Sequence, residues 1–173
     1  MRTELSALVL AVGLFSLPSL PAFAQNTDAS KQQIEQLVER FRTAIIDKDT
    51  AAFMQLFLRE DITWNVGYTD DSLQRYNAWL KDQNIPPATK VQGGSPRMFI
   101  DSIARSRQAR SEAISNVRID TDGEIAQVWF DFAFMTGDYK NAWGKESWQL
   151  VRTEAGWKIA AVVWSAQENP NPR

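Results

Sequence analysis

Asp131 stands in the run Val128-Trp129-Phe130-Asp131-Phe132-Ala133-Phe134-Met135, a single charged side chain among apolar ones. A carboxylate beside so much aromatic surface loses hydration. Desolvation raises its pKa toward the range of a general acid or base. The alternative is an outward side chain, or one paired with an Arg such as Arg118. Glu146 is the second carboxylate of this kind, at the head of Glu146-Ser147-Trp148-Gln149-Leu150. If the Glu154-Ala155 turn is tight, Leu150 pairs with Ile159, Trp148 with Ala161 and Glu146 with Val163. Those apolar residues and Trp157 then share one face, with Glu146 at its end. A bulge would shift that register and expose Glu146 on the other side, and the plain alternative is a solvated rim charge. Tyr68 could donate a hydrogen bond to a ligand oxygen at a cavity mouth, and Trp64 shares its face. Trp129 and Trp148 could sandwich a flat ligand. Ordinary core packing is the alternative for each of these aromatic side chains.

The composition narrows the chemistry further. The 173 residues contain 19 basic and 21 acidic side chains, no Cys and no His. A net charge of −2 lacks the Lys and Arg excess that drives phosphate binding, so no nucleic-acid partner is expected. Without His or Cys there is no imidazole base, thiolate nucleophile, disulfide or zinc site of the usual kinds. Acid–base work falls to carboxylates, Tyr or Lys, and neither a metal nor a cofactor is expected. Arg97, Arg105, Arg107 and Arg110 form a modest basic cluster, but Asp101 and Glu112 are interspersed, as on a solvated face. Asp120-Thr121-Asp122-Gly123 resembles the start of a calcium loop, yet no Glu stands at the twelfth position, which leaves a turn.

Several elements must position these side chains. Met1 to Ala24 reads as a secretory signal peptide: Arg2, the uncharged run Leu5 to Leu17, and Ala22-Phe23-Ala24 as a small-x-small cleavage site. Cleavage after Ala24 would make the protein secreted or periplasmic and leave it without a membrane anchor. Gln25 to Ala29 reads as a polar tether, residues 30–166 as one domain, and residues 167–173 as a polar tail. Ser30 and Gln33 have capping-box spacing, and Ile34, Leu37, Val38, Phe41 and Ile45 recur at helical intervals. Asp49 can cap a second short helix carrying Phe53, Leu56 and Phe57.

From Ile62 to Tyr68 the period changes to two, as in a half-buried strand. Asp70, Asp71 or Ser72 can cap a helix through Leu73, Tyr76, Trp79 and Leu80. Ile85 to Gly94 reads as a mobile loop placed where a lid could be. Ser95-Pro96 opens another helix. From Ala109 the chain reads as antiparallel sheet, with turns at Asp122-Gly123, between Gly137 and Gly144, and at Glu154-Ala155-Gly156. The expected fold is α+β, with N-terminal helices in the concave face of a strongly curved, mainly antiparallel sheet. Both faces of the strand around Asp131 are apolar, so one face would hold the helices and a cavity. The other would need a partner, which suggests a homodimer through the sheet.

This element order, with the C-terminal hairpin from Gly144-Lys145-Glu146-Ser147-Trp148 to Gly156-Trp157-Lys158-Ile159, resembles the nuclear transport factor 2-like superfamily in its SnoaL-like branch. The resemblance spans Ser30 to Ser165 and implies a cystatin-like cone. Many SnoaL-like relatives carry histidines on the last strand, where this chain has Ala161 and Val163. In the steroid-isomerase branch a general-base Asp lies near the position of Val66. Neither constellation is present, so no catalytic residue is carried over from the resemblance.

Three functions follow as expectations. The first is an exported module binding a small apolar or aromatic molecule, with Trp64, Tyr68, Trp129, Trp148, Ala161 and Val163 as its walls. The second is a cofactor-independent lyase, isomerase or dehydratase, in which Asp131 or Glu146 moves a proton and Tyr68 polarises an oxygen. The third is a homo-oligomerisation domain with a filled interior.

Overall fold

The computed structural model describes residues 22–171. The expected leader lies outside the described residues through position 21, and its last three residues open the first helix. That helix, α1, spans Ala22–Asp47. It contains neither Gly nor Pro, so the expected tether at Gln25–Ala29 is helical instead. Ser30 is buried within the helix rather than capping it. The apolar stripe is as the spacing predicts, with Ile34, Leu37, Phe41 and Ile45 all buried.

Asp49 caps α2 (Thr50–Met54), its side chain accepting from the Ala52 N–H at 2.9 Å. Strand β1 (Thr63–Tyr68) follows. Helix α3 (Asp70–Asp82) is capped by Thr69, one residue ahead of the expected caps. The expected lid does not float free. Asn77 braces it by hydrogen bonds to Ala88 in both directions, and its last residues form β2 (Val91–Gly93), antiparallel to β1. Ser95 caps α4 (Pro96–Arg105), with Pro96 in the first turn as expected. Among the described residues no helix is long and apolar enough to cross a membrane.

Four long strands complete the chain: β3 (Arg110–Thr121), β4 (Ile125–Thr136), β5 (Tyr139–Thr153) and β6 (Gly156–Glu168). The six strands form one sheet in the order β2-β1-β6-β5-β4-β3, antiparallel except for β1 beside β6. The architecture is the expected α+β one. Asp122-Gly123 makes the first hairpin, Gly123 taking φ of 100°. The second turn is tighter than expected, at Gly137-Asp138. Trp143 and Gly144 therefore already lie inside β5. Nor does the chain fray after Ala166, because Glu168 pairs with Ala142, and Thr69 donates to the Gln167 side chain at 2.8 Å.

Alternation along β4 decides which face holds the core. Val128, Phe130 and Phe132 are buried with Leu37, Phe41, Phe53, Ile100 and Ile103 from the helices. The odd-numbered residues face the other way, and Trp129 there is 40% exposed. The register shifts once in each of the three long hairpin pairs. Such irregularities add local twist and let a sheet bend around helices.

One backbone approach is especially close. A Cβ built on Gly144 would lie 2.0 Å from the main-chain oxygen of Ser165. Because the neighbour is backbone, β5 and β6 must separate to admit it. Gly144→Ala should therefore destabilise the fold by about 3 kcal/mol, read as a Tm about 10 °C lower. An unchanged Tm would show that these strands are not in contact there.

Candidate active site

A cavity of about 190 Å³ lies between the helices and the inner face of the sheet. Its walls are largely aromatic: Phe41 from α1, Trp64 from β1, Phe99 from α4, Phe132 and Phe134 from β4, and Trp164 from β6. The rings contact one another, with Trp64 5.5 Å from Phe99 and 5.4 Å from Trp164 between centroids. Into this apolar wall the sheet places Glu112, Glu146 and Glu168, with Tyr68 beside them.

Glu146 is 5% exposed, and its Oε1 accepts a hydrogen bond of 2.6 Å from the Trp148 indole N–H. Burial pushes its pKa up to about 7, against a smaller lowering by that bond. Glu112 on β3 is 4% exposed, and its Oε1 is buried without a hydrogen-bond partner. Burial raises its pKa well above the carboxylate range, and the nearby Glu146 charge raises it further. Glu168 is also raised by burial, partly offset by Arg75. Tyr68 is raised by burial first, then by the charges of Glu168 and Tyr76. The three carboxyls are thus drawn toward their neutral forms by one cause, the apolar wall.

Of the residues expected at the site, Glu146, Tyr68 and Trp64 line the cavity. Trp148 does not reach it. It is fully buried behind Glu146 and holds that carboxyl in place. Asp131 is on the outer face, ion-paired with Lys145 and accepting from the Asn116 amide at 2.6 Å. The Asn116 bond, then Lys145, holds its pKa below the usual value, the reverse of the expected shift. Trp129 is on that same outer face.

Ala161 and Val163 are displaced by a bulge. Leu150 pairs with Ile159 as expected, but Gln149 pairs with Ala161, Trp148 with Val162 and Glu146 with Trp164. Ala160 is the extra residue, so the parity of β6 flips while that of β5 is unchanged. Val163 turns outward, 47% exposed, and Trp164, Ala166 and Glu168 turn into the cavity. A bulge was expected to expel Glu146. It does not, because the inserted residue is on the opposite strand.

Glu112 is the residue that sequence reasoning missed, having been grouped with the surface charges around Arg107. The available signal was its period-two relation to Ile114, which also faces inward. The neighbouring arginines behave as a solvated group: Arg97 pairs with Glu60 at 2.7 Å, and Arg105 and Arg107 are exposed. Among the described residues no group of carboxylates is arranged to hold a metal ion. At Asp122 the side chain caps its own turn, accepting from the Glu124 and Ile125 N–H groups.

Solved structures share this architecture. A protein of unknown function from Mycobacterium tuberculosis aligns at 16% identity and a TM-score of 0.59, over 85% of this chain and 77% of its own. A protein with a cystatin-like fold from Novosphingobium aromaticivorans aligns at 15% identity and a TM-score of 0.57, over 88% and 91%. That neighbour is nuclear transport factor 2-like. The fold is nuclear transport factor 2-like. A candidate scytalone dehydratase from the same bacterium aligns at 14% identity and a TM-score of 0.58, over 87% and 98%. Identities this low establish the shared fold alone. No family model and no curated protein matches the sequence. What this chain adds within that fold is the inward carboxyl set on β3, β5 and β6.

Proposed function

We propose that the chain is a cofactor-independent proton-transfer enzyme of the lyase, isomerase or dehydratase kind, acting on a small, largely apolar carbonyl compound. The observation that carries this reading is Glu146, a carboxyl buried in an aromatic cavity with its pKa near 7. A group of that pKa is present in both forms at neutral pH, so it can take a proton and return it. In the proposed step the Glu146 carboxylate removes a proton from the carbon next to the carbonyl. The C–H electron pair moves onto the carbonyl oxygen as an enolate, toward which Tyr68 donates a hydrogen bond. In a β,γ-unsaturated substrate, return of the Glu146 proton at the γ-carbon gives the conjugated isomer. In a β-hydroxy substrate, the enolate pair re-forms the carbonyl, the C–O bond breaks, and the hydroxyl takes the Glu146 proton and leaves as water. The Trp148 N–H keeps the Glu146 carboxyl aimed while it changes charge.

Expulsion of a simple binding module's ligand would need no titrating group in the wall, which is why catalysis ranks above binding here. The cavity is also open space rather than filled core, which counts against a purely assembling domain. The leader pattern supports action outside the cytoplasm. The uncovered outer face, with Trp129 and Val163, supports pairing of two copies through the sheet.

Acetophenone, a small aromatic ketone, provides the test. The protein should accelerate deuterium wash-in at its methyl group in heavy water, followed by proton NMR, with a rate that rises through pH about 7. Binding of acetophenone without exchange would support the binding module instead.

A further inference from the structure

The cavity wall holds three glutamates and at least six aromatic rings, and not one Lys or Arg. We propose that the site selects a substrate carrying a cationic amine, with the ammonium seated on Glu112 against the faces of the surrounding rings. The inference deepens the proton-transfer reading and rests on it for the role of Glu146. It divides the two buried carboxyls: Glu146, held by Trp148, moves the proton, and Glu112 takes the charge.

Glu112 is suited to that part because it lines the cavity and its Oε1 is buried with no hydrogen-bond partner. A buried acceptor left unmade costs free energy, which a ligand donor recovers. An ammonium satisfies it with a charge-assisted bond. Trp64, Trp164, Phe41 and Phe134 line the same cavity, and an aromatic ring attracts a cation through its quadrupole. An anionic ligand would meet Glu146 and Glu168, with only Arg75, outside the lining and near Glu168, to offset them, so the wall also acts by exclusion.

The charged and titratable groups around Glu112 are few. Glu146 comes from β5, Glu168 from β6 and Tyr68 from β1, while α4 and β4 supply rings only. Arg42 of α1 is turned to the Glu112 main-chain oxygen and to the Glu39 carboxylate. Arg110, on the same strand as Glu112, is engaged by Thr136 and Ser106 and rests over the Phe134 ring. Neither guanidinium has a hydrogen bond or ion pair with a cavity carboxyl. An ammonium would therefore be the first cation to reach Glu112, and on arrival would displace its proton to solvent. Affinity should rise with pH, since less work is then needed to remove that proton.

The experiment compares benzylammonium, whose N–H groups can donate to Glu112, with ethylbenzene, its neutral isostere, by calorimetry in buffers of different ionisation enthalpy. The cation should bind about tenfold more tightly, release protons on binding, and tighten as pH rises. In Glu112→Gln the cation-to-isostere affinity ratio should fall to about one. Equal affinities in the wild type, a preference for the isostere, or no binding of either would overturn the inference. So would proton-free binding of the cation. If Glu112→Gln does not fold, the wild-type ratio and proton release decide alone. Failure here with acetophenone exchange intact removes only the amine. Cation preference without exchange removes only the chemistry.

Discussion

Glu146→Gln should abolish proton transfer while leaving the fold intact. Gln has the same shape, and its amide oxygen still accepts the Trp148 N–H, so the buried hydrogen bond survives. What is lost is the ability to hold a proton, and removing a positioned general base typically costs a factor of about 10²–10⁴ in rate. Acetophenone exchange should therefore fall by at least about a hundredfold. Asp131→Asn is the matching comparison, because Asp131 faces away from the cavity and should leave the rate within about twofold. The reverse pattern, with Asp131 essential and Glu146 dispensable, would move the chemistry to the other face of the sheet.

Stability should fall as the solution is made alkaline, against the usual behaviour of paired carboxylates. Below pH 4.5, Glu146 is protonated whether folded or unfolded and contributes no pH dependence. Between 4.5 and about 7 the unfolded chain ionises at this residue and the folded one does not. The folded state then binds more protons, so stability declines with rising pH and levels off above the folded pKa. For Glu146 alone the shift corresponds to about 3 kcal/mol, or a Tm roughly 10 °C lower at pH 8 than at pH 5. Glu112 and Glu168 act in the same direction. Asp71, Asp122 and Asp131 have lowered pKa values, so their stabilisation is lost only in acid, beneath that window. Thermal unfolding followed by circular dichroism should show the decline. The Glu112→Gln, Glu146→Gln double variant should flatten it. A wild-type Tm that rises from pH 5 to 8 would mean that these carboxyls are hydrated.

The helices and the long strands were legible in the sequence, because periodicity is a local property. Ile34, Leu37, Phe41 and Ile45 mark a stripe on α1 whatever they pack against, and Asp49 and Ser95 cap where their chemistry allows. The site was legible only where parity could be read without ambiguity. Trp148 and Leu150 are buried, so Glu146, two residues away, must share their face. On β4 both faces are apolar, so hydrophobicity alone could not say where Asp131 points. The deciding group is Lys145, its partner across the strands, together with Asn116 at a bulge in β3 with φ of 54°. The bulge at Ala160 left no mark in a run of small and β-branched residues, so it inverted the assignments of Ala161, Val163 and Trp164 together. Glu112 was hidden by its company, since arginines nearby make any carboxylate look like a surface charge.

Two inward glutamates whose pKa values burial raises are what the cavity chemistry, the amine preference and the alkaline destabilisation all require. Carbon-13 NMR of protein labelled at the glutamate side-chain carboxyl follows each of them directly through a pH titration. One resonance should titrate at about 7 and lose that behaviour in Glu146→Gln, and a second should titrate well above the ordinary carboxylate value and lose that behaviour in Glu112→Gln. A spectrum in which every glutamate titrates near 4.5 would place both carboxyls in water and leave the proposed chemistry without its proton carrier.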